Sequence, residues 1–166
     1  MIIRNISLVI GSILCLIFSS CQKEGADLFD GSYSFKTSGT LTINKKSTEG
    51  EENSFNHQLT SESGQMNILK KSKSSVIITM NVVGGQVLVI PASIENNTLK
   101  IDSFKQMTNI KDGLQEISIE CGVSGDGKIY DDVVIINLNY TGTGANSLNT
   151  YTITNSEVNC VAKRNE

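Results

Sequence analysis

The segment from Ser32 to Asn44 constrains the fold more than any other part of the chain. Its odd positions are Tyr33, Phe35, Thr37, Gly39, Leu41 and Ile43, and every even position is Ser, Lys, Thr or Asn. Strict alternation over this length is the signature of a strand with one buried and one wet face. Gly39 interrupts the apolar side, which predicts a bend where the strand turns a corner. The rest of the chain follows the same rhythm in shorter pieces. Phe55, His57 and Leu59 alternate, as do Met66 and Ile68, then Val76, Ile78, Met80 and Val82, and Leu88, Ile90, Ala92 and Ile94. Gly84-Gly85 and Asn96-Asn97 are hairpin signals, because both residues of each pair tolerate positive φ. Pro91 lacks an N–H, so its strand is expected at an edge or at a bulge.

Further on, Leu99 and Ile101 begin a strand that is expected to end near Phe104. Residues 105–115 show no clear pattern and read as a loop or a short helical turn. Ile117, Ile119, Cys121 and Val123 alternate up to a turn expected at Ser124-Gly125-Asp126-Gly127, and Val134 to Tyr140 return. Residues 141–149 read as a Gly/Ser/Asn loop. Tyr151 and Ile153 are odd, whereas Val158, Cys160 and Ala162 are even, so a bulge is expected near Asn155 to Glu157. No segment is long enough for a βαβ crossover. The fold class expected is all-β: about eight to ten strands in an antiparallel meander, closed into a barrel or flattened into a sandwich.

The N-terminus reads as an address. A short basic start with Arg4 precedes an apolar run of 13 residues, Ile6 to Phe18. A bilayer span needs about 20, so this run fits the core of a secretory signal. Phe18-Ser19-Ser20-Cys21 resembles the lipobox of bacterial lipoproteins, whose cysteine receives diacylglycerol and becomes the first mature residue. The organisation expected is a signal peptide at 1–20, lipidated Cys21 with a tether to residue 30, and one β domain over 31–166. Lys23 and Glu24 resemble the charged export signals of Bacteroidetes surface lipoproteins, and both periplasmic and surface-facing placements on the outer membrane stay open.

Two further stretches carry a resemblance. Gly31-Ser32-Tyr33 opens the first strand where lipocalins carry Gly-x-Trp. Gly125-Asp126-Gly127-Lys128-Ile129-Tyr130, followed by Val134 to Tyr140, resembles the late hairpin of such domains. On these residues the chain is similar to the lipocalin-like or calycin-like lipoproteins of Bacteroidetes. The resemblance implies a β-barrel and a role in binding small apolar ligands or surface partners.

Composition limits the chemistry. With 14 Lys and Arg against 17 Asp and Glu there is no basic footprint for nucleic acid. The lone His57 limits any His-dependent triad to one residue and reads as a half-buried histidine on an inward face. Asp126, Asp131 and Asp132 do not match a calcium loop, and Gly125-x-Gly127 and Gly142-x-Gly144 lack the third glycine of a dinucleotide loop, so neither metal nor other cofactor is expected. Lys70, Lys71 and Lys73 read as a solvated hairpin tip. Cys121 and Cys160 remain after processing, either bridged in an oxidising compartment or buried as two small hydrophobes. No convergent acid/base set can be named, and an enzyme is not expected. The function expected is binding of a small apolar ligand in the barrel interior or mouth, lined by Phe35, Met80, Leu138 and Tyr140. The alternative is a non-enzymatic structural or interaction subunit of an outer-membrane complex.

Overall fold

The computed structural model describes residues 23–85 and 87–166. The expected signal peptide and lipidated Cys21 lie outside these residues. Nine antiparallel strands form one meander: β1 (Gly31–Ser47), β2 (Glu52–Gln58), β3 (Glu62–Ser72), β4 (Ser75–Val82), β5 (Val87–Glu95), β6 (Thr98–Asp112), β7 (Gln115–Tyr130), β8 (Val133–Ala145) and β9 (Asn149–Arg164). β9 returns to pair with β1 from Tyr33↔Arg164 to Ser47↔Asn149 and closes the ring. The fold is a β-barrel, which decides between the two all-β architectures expected.

The long β1 organises the molecule by changing partner along one edge. Its first half, Gly31 to Thr37, pairs with β3, and its second half, Thr40 to Lys46, pairs with β2. Between these halves lies Gly39, where a Cβ would collide with the Glu157 carbonyl and with Val158 Cα of β9. Only glycine lets the two backbones come this close. The barrel therefore has two storeys. In the lower one β3, β4 and β5 complete the wall. In the upper one β2, β1, β9, β8, β7 and β6 form it, and the edges of β2 and β6 face each other. On β9 the register with β1 slips between Thr42 and Ile43, leaving Thr154 unpaired, which is the bulge that the odd-to-even shift required.

Each storey has its own core. The lower one contains Tyr33, Phe35, Met66, Ile68, Ile78, Ile90, Leu99, Ile136 and Cys160, and the upper one Leu41, Ile43, Ile110, Ile119, Cys121, Val123, Tyr140, Tyr151 and Val158. Phe104 and Leu138 touch both.

Three segments depart from the expectations. Residues 105–112 continue β6 rather than forming a loop, and the register with β7 shifts between Ile101 and Phe104. Their alternation was hidden because the inward positions include Gln106 and Thr108 rather than hydrophobes. Ser124 to Gly127 lie within β7, and the chain turns at Asp131-Asp132 with Asp131 at φ 53°. A Cβ at Gly125 would strike the Asn137 carbonyl, so this glycine serves close strand packing and not a turn. Residues 141–145 likewise continue β8, because a Cβ at Gly142 would lie 2.5 Å from the Glu120 carbonyl.

The stretch to residue 30 is not a free tether throughout. Ala26–Phe29 form a single helical turn, α1, with Ala26 and Phe29 wholly buried in the lower core. Burying a Phe side chain contributes roughly 1.5–3 kcal/mol, enough to dock so short an element. The Ala26 N–H donates to the Lys73 carbonyl at 3.1 Å, and Gly25 N–H donates to Asn97 Oδ1 at 3.0 Å. Lys70 Nζ pairs with Asp27 at 2.7 Å, so one member of the lysine cluster belongs to this base plug. Asn96 and Asn97 turn β5 into β6 at φ 49° and 57°, as their residue types predict. β5 loses β6 as a partner above Ala92, one residue from Pro91.

Candidate functional site

The two-storey construction leaves a seam in the wall. β5 and β6 are paired only from Ala92 to Glu95 and from Thr98 to Ile101, after which β6 climbs with β7 as its one partner. On the opposite side of the seam β2 ends at Gln58 and β3 begins at Glu62. Between them lies a cleft of about 270 Å³, walled by Thr37, His57, Leu59, Glu62, Gln106, Thr108 and Tyr140 among others. Four of these, Thr37, Glu62, Gln106 and Tyr140, also border a deeper apolar void. That void continues to Met80, Leu88, Phe104 and Leu138 but measures only about 30 Å³. A site needs about 10–15 Å³ of such volume to hold one water, so the apolar interior is essentially filled.

This narrows the expected interior-or-mouth site to the mouth. Met80, Leu138 and Tyr140 do converge on the void, whereas Phe35 does not border it. Phe35 packs in the lower core, where a Cβ on Gly64 would approach its ring to 3.1 Å. Of these two adjoining spaces the polar cleft is the larger. Its inward polar positions, Gln106 and Thr108, fell in the stretch read as a loop, so the sequence reading missed them. Their spacing of two, continuing Phe104 and leading to Ile110, is the signal that identifies them.

His57 bridges the upper part of the seam. Its Nδ1 accepts the Lys111 N–H in a long contact of 3.5 Å, and the ring donates to the Asn109 carbonyl. One imidazole thereby stands in for ladder bonds that β2 and β6 do not make. Burial, and then the nearby Lys111 ammonium, push its pKa down, so the ring is neutral at pH 7. Burial also raises Tyr140, and the Glu62 carboxylate beside it adds to the shift. The phenol stays protonated and able to donate. The cleft thus offers a neutral imidazole, a phenol, an amide, hydroxyls and a carboxylate against the apolar flank of Leu59.

Cys121 and Cys160 are free thiols, one in each core, which overturns the possible bridge. They face different pairs of neighbours, Gln106 and Gly142 for Cys121, Thr37 and Ile136 for Cys160. Burial pushes the Cys160 thiol up to about 11. Asp126, Asp131 and Asp132 are not gathered, and among the described residues no group of three or more His, Cys, Asp or Glu is placed to hold a metal ion.

The base of the barrel shows why Gly31-Ser32-Tyr33 begins β1. The Arg164 guanidinium lies over the Tyr33 ring and donates to the carbonyls of Asp30 at 2.6 Å and Leu28 at 2.8 Å. Tyr33 Oη donates to the Phe29 carbonyl at 2.7 Å. A Cβ on Gly31 would run into the guanidinium, so the glycine makes room for the clamp.

No family model matches the chain, and no curated protein matches it. Among solved structures it is similar to the DFHBI-bound structure of EF1p2_mFAP2b, at 10% identity and a TM-score of 0.44 over 86% of this chain and 98% of that one. It is also similar to a redesigned β-barrel, at 13% identity and a TM-score of 0.38 over 89% of this chain and 100% of that one. Both scores are low, and the barrel stands on its own strand pairings.

Proposed function

We propose that this chain is an outer-membrane lipoprotein of the lipocalin-like kind, matured at Cys21, whose barrel is a non-enzymatic binding module. The occupant is a small amphipathic molecule, its polar end in the cleft and its apolar end toward Met80, Leu88 and Phe104. One observation carries this reading: the inward face turns polar at Thr37, His57, Gln106 and Thr108, all at one opening in the wall. Inward polar groups forgo hydrophobic stabilisation, and their concentration at a cleft is the pattern of a site. Of the interior and the mouth, the two places expected from sequence, the filled core favours the mouth. Gly31-Ser32-Tyr33 at the start of β1 and the closed meander support the lipocalin-like reading, and Phe18-Ser19-Ser20-Cys21 supports the anchor.

The test is native mass spectrometry of the protein purified from its own envelope, with Gln106→Leu as control. A co-purified mass that disappears in the variant supports the proposal. A bare chain whose cleft amide resonances stay unmoved by fatty acids, quinones and glycolipids overturns it.

A second reading rests on the outer face of β3–β5. Leu69 stands opposite Ile77 and Ile77 opposite Pro91, with Val89 and Val87 further along the same strand. Leu69, Val87 and Val89 are all more than half exposed. An apolar stripe of this kind suits the surface of an accessory subunit. In-cell crosslinking from Val89 that recovers no partner counts against that role.

A further inference from the structure

The plug fixes where the chain enters the barrel. Gly25 is hydrogen-bonded to the β5–β6 turn through Asn97, and Ala26 to the β3–β4 turn through Lys73. Phe29 is buried behind them, and Arg164 grips the carbonyls of Leu28 and Asp30 from β9. From Cys21 to Gly25 is four residue steps, which span at most about 14 Å when fully extended. These fixed points lie at one end of the barrel, together with the Asp131-Asp132 turn, whose carbonyl at Asp132 accepts the Arg164 N–H. The opposite end carries the turns at 48–50, 113–114 and 146–148, the first and last of them tied by Thr48 N–H to the Leu148 carbonyl. It also carries the exposed Leu114 and Leu148.

We infer that the base turns at Lys73, Asn97 and Asp131 rest on the lipid surface that holds the Cys21 acyl chains, with the lateral cleft facing the water. The inference deepens the proposed function and rests on its anchoring at Cys21. A leash this short, ending on a rigid plug, keeps the base within about 14 Å of the surface and cannot present the far end to the same bilayer. Along β6 the cleft residue Thr108 is nine residues above Leu99 at the base. At about 3.3 Å per residue and a strand tilt near 40°, that places the cleft roughly 20 Å above the base turns. The ligand accordingly arrives from the aqueous phase and is not drawn sideways out of the host leaflet.

The chain has no Trp, so single introduced tryptophans are clean reporters. The lipidated full-length protein carrying Lys73→Trp or Leu114→Trp is reconstituted in phosphatidylethanolamine–phosphatidylglycerol vesicles containing brominated phosphatidylcholine. Several-fold stronger quenching at position 73 than at 114 is expected. Inserting about twelve Gly/Ser residues between Lys23 and Glu24 should erase that difference while membrane fractionation persists. Equal quenching, or stronger quenching at 114, overturns the orientation while leaving the anchor intact. A Cys21→Ala variant that still sediments with membranes overturns the anchoring, and the orientation falls with it.

Discussion

The Arg164 guanidinium sits 4.9 Å from the centre of the Tyr33 ring, joining the last turn of β9 to the first turn of β1 across the whole sequence. Arg164 is about three-quarters buried and also holds two main-chain carbonyls of the plug. A charged hydrogen bond contributes about 1.5–3 kcal/mol and a cation–π contact about 0.5–1. Arg164→Ala should therefore lower stability by about 2–3 kcal/mol in urea unfolding. Amide exchange at Ala26 to Asp30 should rise in the same variant. Unchanged exchange there would show that the plug holds without the clamp.

Gly39→Ala tests the crossing of β1 and β9. The glycine has φ 154°, and a Cβ would meet backbone that has no freedom to withdraw. A loss of about 2 kcal/mol or more is expected in chemical denaturation. Gly50→Ala is a useful control, because its Cβ position is open and only its positive φ is strained.

The His57 bridge predicts a pH-dependent opening of the seam. Its pKa is lowered in the folded protein, so the neutral ring is the folded form. The bridge's contribution is complete above the usual histidine value of about 6.5 and is lost as pH falls through the lower folded value. Protonation removes the acceptor for the Lys111 N–H and places a cation beside the Lys111 ammonium. Hydrogen exchange at Lys111, corrected for intrinsic rate, should accelerate below pH 6 in the native chain and show no such step in His57→Gln. An identical step in both would show that His57 is not its source.

At the far end, Lys45 Nζ lies 2.6 Å from Asp112, which also accepts from Tyr151 Oη at 2.8 Å. Those two donors, the lysine first, hold the Asp112 carboxyl below the usual carboxylate range. Its contribution to stability is present above about pH 4 and fades as pH falls through the lower folded value. The Tm advantage of the native chain over Asp112→Asn should be constant near neutrality and shrink below pH 4. A gap that persists at pH 2 would mean that packing, and not charge, links these residues.

Replacing Thr108 by Val should expose the conflict between site and core. Thr108 is buried and faces the cleft. The variant is expected to gain up to about 1 kcal/mol while losing any co-purified ligand. Loss of stability instead would show that the hydroxyl serves the core, where it also meets the Cys121 thiol.

Much of the barrel was legible because a half-buried strand writes its orientation into every second residue. Ser32 to Asn44, the Asn96-Asn97 turn and the phase shift on β9 all follow from that rule. The rule fails where an inward position is polar or lacks a side chain. Gln106 and Thr108 made the upper half of β6 look like a loop, and Gly125, Gly142 and Gly144 made strand interiors look like turns. The same residues that hid the strands line the cleft or permit the close strand approaches, so the obscure positions are the ones that shape the wall. The plug was missed for another reason. Four residues carry no periodicity, and what grips the flanking Leu28 and Asp30 carbonyls is Arg164, from the other end of the chain.

The pairing of β1 with β9 has a kinetic meaning. Tyr33 finds Arg164 only after 130 intervening positions have been synthesised, and the strand that seals the ring is the last of the nine. Contacts of such separation must overcome loop entropy before they stabilise anything, which makes closure slow. A chain cut short before β9 leaves one whole edge of β1 and one of β8 bare, an invitation to pair with neighbouring molecules. Until its final strand emerges, the polypeptide has no closed state to fall into.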